Sequence, residues 1–287
     1  MKKYLGTIAL IMVLAPAAVV AQATPNVYTH KMGAVSVSLL SEGQGSGNSS
    51  IFVGATPEMI QKSMPEGSYP RSTNAFLIRL SGKIILVDTG TGRNLLDNLK
   101  TLGVAPEQID AVLITHVHGD HTGGMLKDGQ AAFPNAELYL STPEHDFAMN
   151  GEARNANARR MIEVYKSKLR LFQPTEIDET PHFLFPGIQA IAAYGHTPGH
   201  TLYMVDSGGE KLLVWGDLTH AMAIQMPFPQ VAMTYDVNPD MAIAARKKVL
   251  VYVAKNNITV AGIHTAFPGM GKLTKAAEGG YIHTPLQ

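Results

Sequence analysis

The chain has 287 residues, and its 23 basic side chains balance its 23 acidic ones. This balance, without any basic stripe, excludes the charge pattern of a nucleic-acid-binding protein and predicts a small, neutral or hydrophobic substrate. Hydrophobic residues make up 45% of the chain, which is typical of a globular enzyme with a sizeable core. Cysteine is absent, so any metal site must be built from nitrogen and oxygen ligands.

The first residues are typical of a cleavable export signal. Two lysines precede an apolar run that extends to Val20 and is followed by small residues. Cleavage after Ala21 or after Ala23 fits this pattern, and we expect a signal peptide at 1–23 and a periplasmic or secreted mature protein. A membrane anchor that is left uncut is the alternative, although the run is short for a spanning helix. The mature chain, 24–287, is expected to form one domain without stable membrane association.

Short apolar runs alternate with helical patterns in two successive rounds. They predict strands at 34–40, 75–80, 83–88, 111–115 and 137–140, and then at 188–193, 201–206, 211–215 and 259–263. Helices are predicted at 94–102, from Pro143 over much of the stretch to Leu171, and from Pro239 after an N-cap at Asn238. The Gly/Ser-rich segment Glu42–Ser50 is predicted to be a mobile loop. The pattern favours two sheets with helices outside them.

The chemistry is concentrated where a predicted strand ends. Strand 111–115 runs directly into four imidazole and carboxylate groups within six residues: His116, His118, Asp120 and His121. Side chains of these types, on one tight turn, are expected to converge on a metal ion. They suit zinc, manganese or iron, and a catalytic zinc site keeps one coordination position open for water.

Three more ligand types occur singly, and each follows a later predicted strand: His196, Asp217 and His264. A lone histidine or aspartate in a loop usually has a structural role. Their shared position at strand ends predicts that all three join the same site.

These motifs, with His196 in the segment Gly195–His200 and Asp88 preceding the first cluster, resemble those of the metallo-β-lactamase superfamily over nearly the whole mature chain. The resemblance implies an α/β fold, a four-layer αββα sandwich with the site along one edge. It also implies two divalent metal ions, with zinc as the first choice. His116, His118 and His196 would hold one ion, Asp120, His121 and His264 the other, and Asp217 would bridge them. Asp88 would orient His116, or it would only cap the turn after its strand.

The implied activity is hydrolysis. Metal coordination lowers the pKa of water from about 16 toward 7, which supplies a metal-bridging hydroxide at neutral pH. Asp120 is expected to carry a proton to the leaving group. The stretch Trp215–His220, followed by Gln225 and Asp236, is similar to the branch of methyl parathion hydrolase and its lactonase relatives. We therefore expect cleavage of lactones or related esters, with phosphotriesters as further substrates.

Other members of the superfamily remain as alternatives: a β-lactamase without cysteine ligands, a thioesterase, or a mononuclear iron oxidoreductase similar to the persulfide dioxygenases. A non-catalytic metal-binding protein is a third class. Metal identity and oxygen uptake separate the oxidoreductase from the hydrolases. The oligomeric state is left open, with a homodimer as one option.

His220 stands where the better-known cytoplasmic lactonases carry a tyrosine. It is expected to act catalytically by hydrogen bonding to a substrate oxygen, or else to support the ligands or pack beside them. The apolar residues between Met222 and Met233 that follow it form either a pocket wall or part of the core.

Overall fold

A computed structural model describes residues 26–150 and 156–287. The predicted signal peptide, 1–23, lies outside the described residues. In chain order the strands are β1 (Val27–Met32), β2 (Val35–Asn48), β3 (Phe52–Val53), β4 (Ser68–Leu80), β5 (Lys83–Val87), β6 (Ala111–Leu113), β7 (Leu126–Lys127), β8 (Gln130–Ala131), β9 (Glu137–Ser141), β10 (Leu169–Phe172), β11 (His182–Phe185), β12 (Ile188–Ala192), β13 (Thr201–Ser207), β14 (Glu210–Val214), β15 (Ala232–Met233), β16 (Thr259–Ala261), β17 (Met270–Lys275) and β18 (Tyr281–Pro285).

The α-helices are α1 (Pro57–Ser63), α2 (Leu95–Thr101), α3 (Gly119–Thr122), α4 (Thr142–Asn150), α5 (Ala156–Tyr165), α6 (Met222–Gln225) and α7 (Pro239–Lys255). The longest, α7, begins as the sequence predicts: the Asn238 side chain accepts a hydrogen bond from the backbone N–H of Met241, and Pro239 is the first helical residue. Within the described parts of the chain, no helix is long and apolar enough to cross a membrane.

Two sheets dominate the described residues. The strand order is β1-β2-β4-β5-β6-β9-β10 in the first sheet and β11-β12-β13-β14-β16-β17-β18 in the second. Strands β5, β6 and β9 run parallel to one another, as do β14 and β16. Parallel neighbours end at the same edge of their sheet, so the loops after β6, β14 and β16 are available to build one site.

The sheets pack face to face with helices outside. In β4, Phe76 and Ile78 point into the core between the sheets, whereas Ala75 and Leu77 point to the other face, as the two-residue period of a strand requires. That other face packs against α2 and α5. Helix α7 covers the second sheet through Val249, Leu250 and Val253. These layers form the predicted αββα sandwich, which is confirmed.

Hydrogen bonds join the two sheets near the predicted ligand loops. The backbone N–H of Thr201 donates to the carbonyl of Thr115, and the Tyr203 hydroxyl donates to the carbonyl of Ile114. Because these contacts fix the end of β6 against the start of β13, they set the distance between the first ligand loop and the His196 loop.

The prediction of a mobile loop at Glu42–Ser50 is wrong. Strand β2 continues to Asn48 and pairs with β4 as far as Ser68, after a register shift between Ser41 and Gly43. Most side chains beyond this shift are exposed, so the segment lacks the apolar alternation by which a strand is recognised in a sequence.

Most of the described residues in the stretch from Pro143 to Leu171 are helical, as predicted. Helices α4 and α5 occupy separate parts of this stretch, and residues 151–155 between them are outside the described residues. The end of the stretch is the short strand β10, which pairs in parallel with β9. A strand of four residues is too short for periodicity to distinguish it from a helix end.

Candidate metal centre

The first four predicted ligands lie in the loop after β6 and in α3. His116 is fully buried, and His118 has an extended backbone (φ −67°, ψ 155°) directly before the helix. Helix α3 then places Asp120 and His121 in its only turn. This change from extended to helical backbone lets closely spaced side chains face one point.

The first donor set consists of three imidazole nitrogens and a carboxylate oxygen. His116 Nε2 lies 2.9 Å from His118 Nδ1 and 3.2 Å from His196 Nε2, and the remaining nitrogen pair is 3.0 Å apart. Asp217 Oδ2 lies 3.6 Å from His116 Nε2 and 3.3 Å from His196 Nε2. Ligands about 2.0–2.1 Å from a tetrahedral zinc ion are about 3.3 Å from one another. The four atoms therefore fit around one ion.

The second donor set consists of Asp120, His121 and His264. His121 Nε2 lies 3.9 Å from one Asp120 oxygen, and His264 Nε2 lies 3.6 Å from the other. Asp217 faces this set too, because Oδ1 is 3.1 Å from His121 Nε2 and Oδ2 is 3.3 Å from His264 Nε2. The structure thus brings all seven predicted ligands together and puts Asp217 between the two sets.

The donor atoms are left without adequate partners of their own. His121 Nε2 and Asp217 Oδ1 are buried and neither has a hydrogen bond of acceptable geometry, although they are 3.1 Å apart. Buried polar atoms without partners cost about 1–3 kcal/mol each, so this arrangement needs another group to complete it. The nitrogen and oxygen donors suit a divalent cation such as zinc.

The charges in the site favour a cation as well. Burial lowers the pKa of His118 to about 4, with help from the neighbouring His196, so this ring is neutral, as a metal ligand must be. Burial also opposes protonation of His121, but the carboxylates of Asp217 and Asp88 outweigh it and raise the His121 pKa well above its ordinary value. The carboxylates therefore stabilise positive charge at the centre of the site.

Asp88 supports His121 and not His116, so the predicted pairing is wrong. Its Oδ2 atom accepts a hydrogen bond from His121 Nδ1 at 2.7 Å and another from the Thr115 hydroxyl, also at 2.7 Å. The Nδ1 atom of His116 contacts that hydroxyl instead, at 3.1 Å. Asp88 has a left-handed backbone (φ 56°), which is uncommon for a residue with a side chain and tends to occur at functional sites.

The ligands from the second half of the molecule have partners of three kinds. His196 Nδ1 donates to the Asp236 carboxylate at 2.8 Å, and His264 Nδ1 donates to the backbone carbonyl of Ser72 at 2.8 Å. The backbone N–H of Asp217 donates to His200 Nε2. Such partners fix the orientation of a metal-ligating ring, and the role of Asp236 could not be deduced from its position in the sequence.

His220 contacts the site directly. Its Nε2 atom lies 2.9 Å from Asp217 Oδ2, and the side chain is buried, with 5% exposed. Burial lowers the pKa of His220 to about 4, so the ring is neutral. The structure therefore places His220 against the shared carboxylate, beside both donor sets.

Glu144 supports the ligand loops, although nothing in the sequence marks it for this role. This fully buried carboxylate accepts hydrogen bonds from the Val117 N–H, the Thr197 hydroxyl and the Gly199 N–H. It thereby connects the loop of His116 and His118 to the loop of His196. An isolated glutamate in a helical pattern gives no sequence signal for this role.

The site opens into a cavity of about 360 Å³. Besides the ligands, its walls include Tyr69, Arg71 and Tyr235, and the last two were not assigned to the site from the sequence. The Tyr235 ring lies 4.9 Å from that of His220. The apolar residues Ile224, Met226 and Met233 are buried in the core and do not line this cavity. Of the two roles considered for the segment from Met222 to Met233, this agrees with core packing.

Comparisons with known proteins agree with this geometry. Residues 68–252 match the family model of the metallo-beta-lactamase superfamily. An N-acyl homoserine lactonase from Bacillus thuringiensis is 23% identical over 203 residues, which cover 69% of this chain and 72% of that protein. Another, from Bacillus sp., is 24% identical over 151 residues, and the chain spans only 54% of its length.

Solved structures extend the similarity to nearly the whole chain. The hydrolase AbOPH of the beta-lactamase superfamily has a TM-score of 0.79 and 30% identity, covering 93% of this chain and 99% of that one. AidC, a dizinc quorum-quenching lactonase solved with a product, has a TM-score of 0.82 and 25% identity, covering 91% and 98%. The chain belongs to the metallo-β-lactamase superfamily and is a metal-dependent hydrolase.

Proposed function

We propose that this hydrolase opens lactones or cleaves related esters and that its two metal ions are zinc. The observation that carries the proposal is a pair of complete nitrogen and oxygen donor sets that share Asp217 and open into one cavity. The similarity to AidC, a dizinc lactonase, supports both the metal and the substrate class. Phosphotriesters are proposed as further substrates, because the same centre acts on a polarised phosphoryl group.

The chemistry that bound zinc ions supply is a lowered pKa of water and polarisation of a carbonyl oxygen. The protein must then move one proton from the nucleophile to the leaving alcohol. Asp120 is the suitable group, because its side chain is 33% exposed whereas that of Asp217 is 4% exposed. Burial raises the Asp120 pKa, but His121 and His264 more than offset this and lower it. Asp120 therefore starts ionised and can accept the proton at a carboxylate oxygen before passing it on.

The walls of the cavity suit a neutral or hydrophobic substrate. The rings of Tyr69 and Tyr235 offer apolar faces, and the Arg71 side chain offers hydrogen-bond donors to a substrate carbonyl.

Export to the periplasm or beyond, cleavage of the signal peptide and absence of nucleic-acid partners complete the proposal. They rest on the apolar N-terminal run and on the balanced charge of the chain. The assembly of the protein as a homodimer is left to measurement by light scattering.

The test is ring opening of acyl-homoserine lactones by the zinc-loaded mature protein, followed as proton release. An Asp120→Asn variant keeps the size of the side chain but removes the proton acceptor and a charged ligand of the second ion, so we expect weaker binding of that ion and, at saturating zinc, a loss of roughly 100-fold or more in kcat. Turnover of the lactone by the wild type and loss in the variant would support the proposal.

The alternatives give different results. A wild-type protein that binds two zinc ions but opens no lactone would overturn the substrate assignment and direct the search to phosphotriesters, thioesters and β-lactams. Oxygen uptake with a persulfide substrate by an iron-loaded protein would overturn the hydrolase mechanism in favour of the dioxygenase class.

A further inference from the structure

His220 has the position of a donor, although the family pattern does not assign it as a ligand. Its Nε2 atom is 2.9 Å from Asp217 Oδ2, and donor atoms of Asp217, His220 and His264 lie within 4.8 Å of one another. The His220 ring is stacked on that of His264 at 5.1 Å between centroids, with 22° between planes, and is 4.8 Å from His196. It therefore faces the shared carboxylate from between the two donor sets.

The main chain at His220 is held firmly. The buried Gln225 side chain accepts hydrogen bonds from the N–H groups of His220 and Ala221 and donates to the carbonyl of Val231. The buried Arg246 donates from its Nε atom to the carbonyl of Leu218. These bonds fix the Cα position of His220, so its ring remains beside Asp217.

His220 differs from other histidines of the site at its outer nitrogen, the ring nitrogen Nδ1 that does not face the donor sets. The outer nitrogens of His121, His196 and His264 bond to Asp88, Asp236 and Ser72, respectively. The Nδ1 atom of His220 is buried and has no hydrogen-bond partner. Nε2 donates a hydrogen bond to the Asp217 carboxylate, and because no partner holds Nδ1, the proton can move to Nδ1 so that Nε2 can present its lone pair to an ion.

We propose that His220 is an eighth donor of the metal centre, acting through Nε2 together with Asp217 and His264 on the ion of the second set. This inference rests on the two-metal centre of the proposed function but not on the lactone as substrate. With His220, the second set contains two imidazoles from the second half of the molecule, those of His220 and His264. They lie beside Asp120 and His121 from the first half. Because Nδ1 is unanchored, His220 is the donor of this set that leaves most easily, since no outer hydrogen bond breaks when the ring turns.

The inference is tested on cobalt-loaded protein with two variants. His220→Leu removes the donor, whereas His220→Gln keeps a side chain that can hydrogen bond to Asp217. If His220 is a donor, the wild type shows one more set of hyperfine-shifted imidazole protons in its NMR spectrum than either variant does. Both variants should then bind the second cobalt ion about tenfold more weakly or worse.

A role limited to positioning Asp217 predicts another result. Equal numbers of shifted imidazole signals in wild type and His220→Leu would overturn the inference, and so would recovery of wild-type cobalt affinity in His220→Gln. Melting of the metal-free proteins checks that both variants fold. A protein that binds two cobalt ions through His220 but opens no lactone would overturn only the proposed substrate, so the two failures remain distinguishable.

Discussion

The two halves of the molecule contribute to the same metal centre in different ways. The first half supplies His116, His118, Asp120 and His121 from one short segment. The second half supplies its three ligands one at a time from separate loops, and the last two are 47 positions apart. Clustered ligands converge on the centre if their one loop has the correct conformation, whereas dispersed ligands converge only if their strands lie in the correct relative positions.

The groups that hold the ligands in place also differ between the two halves. Buried side chains hold the first-half loop, since Asp88 binds His121 and Glu144 binds the backbone at Val117. In the second half, a carboxylate holds His196 but a backbone carbonyl holds His264. The first half is thus more open to disruption by a single substitution, because a carbonyl support cannot be mutated away.

The largest effect is expected from Asp217→Asn, which removes the one ligand that both donor sets share. The amide keeps the shape but loses the charge and one acceptor oxygen, so we expect loss of at least one ion and a fall in kcat/KM of about 10³-fold, equal to about 4 kcal/mol. Metal analysis and lactone kinetics measure the two losses. Retention of both ions with full activity would show that Asp217 does not bridge.

The next largest effect is expected from Glu144→Gln. An amide nitrogen would face at least one of the three donors that Glu144 now accepts, and a buried unsatisfied group of this kind costs about 2–3 kcal/mol. Urea unfolding of the metal-free protein measures the change in the free energy of unfolding.

Glu163→Gln is the matched control for Glu144→Gln. Glu163 is largely exposed and, among the residues that the structure describes, pairs only with Lys166, so its substitution should change stability by less than about 0.5 kcal/mol. Equal effects of the two substitutions would contradict the supporting role of Glu144.

A direct comparison of the halves uses Asp88→Asn and Asp236→Asn. Each variant weakens the partner of one ligating histidine, and such changes reduce metal affinity by about 10–100-fold. Asp88 also binds Thr115, which contacts His116, so we expect the greater loss there. Zinc titration against a chelating dye measures both, and a greater loss in Asp236→Asn would reverse the comparison.

The smallest effect is expected from Tyr235→Phe. The ring contacts to His196 and His220 are kept, and within the described residues no hydrogen bond involves the Tyr235 hydroxyl. Loss of an unbonded group costs little, so kcat/KM should change by less than about threefold. A fall of about tenfold or more, with metal content unchanged, would show instead that the hydroxyl binds the substrate.

The sequence was sufficient to predict which seven side chains the structure brings together, because strand ends can be read from apolar runs that stop at polar residues. The alternation of apolar runs with helical patterns predicted two sheets with helices outside them, and the resemblance to the superfamily implied the sandwich. Asn238 followed by Pro239 predicted the start of α7. The apolar patterns failed at Glu42–Ser50, where exposed side chains conceal a strand, and at β10, which is too short to show a period. A hydrophobic pattern in a sequence indicates which side chains are buried, and these two segments bury few side chains.

The supports of the ligands were harder to predict than the ligands. Asp88 was assigned to His116, because sequence proximity to a motif does not tell which ring a carboxylate meets after folding. Asp236, Glu144 and the carbonyl of Ser72 reach the site from distant points of the chain. Such pairings depend on the packing of whole elements, which no local pattern contains.

The spread of the ligands along the chain also bears on folding. This protein has no cysteine, yet an ion held by His116 and His196 would tie together residues that are 80 positions apart. A covalent cross-link that closes a loop of that length lowers the conformational entropy of the unfolded chain, which is equivalent to roughly 4–5 kcal/mol. A bound metal ion acts differently, because it is released on unfolding and its binding free energy stabilises only the native state. In a chain without disulfides, the metal centre would thus also link the two sheets and stabilise their packing.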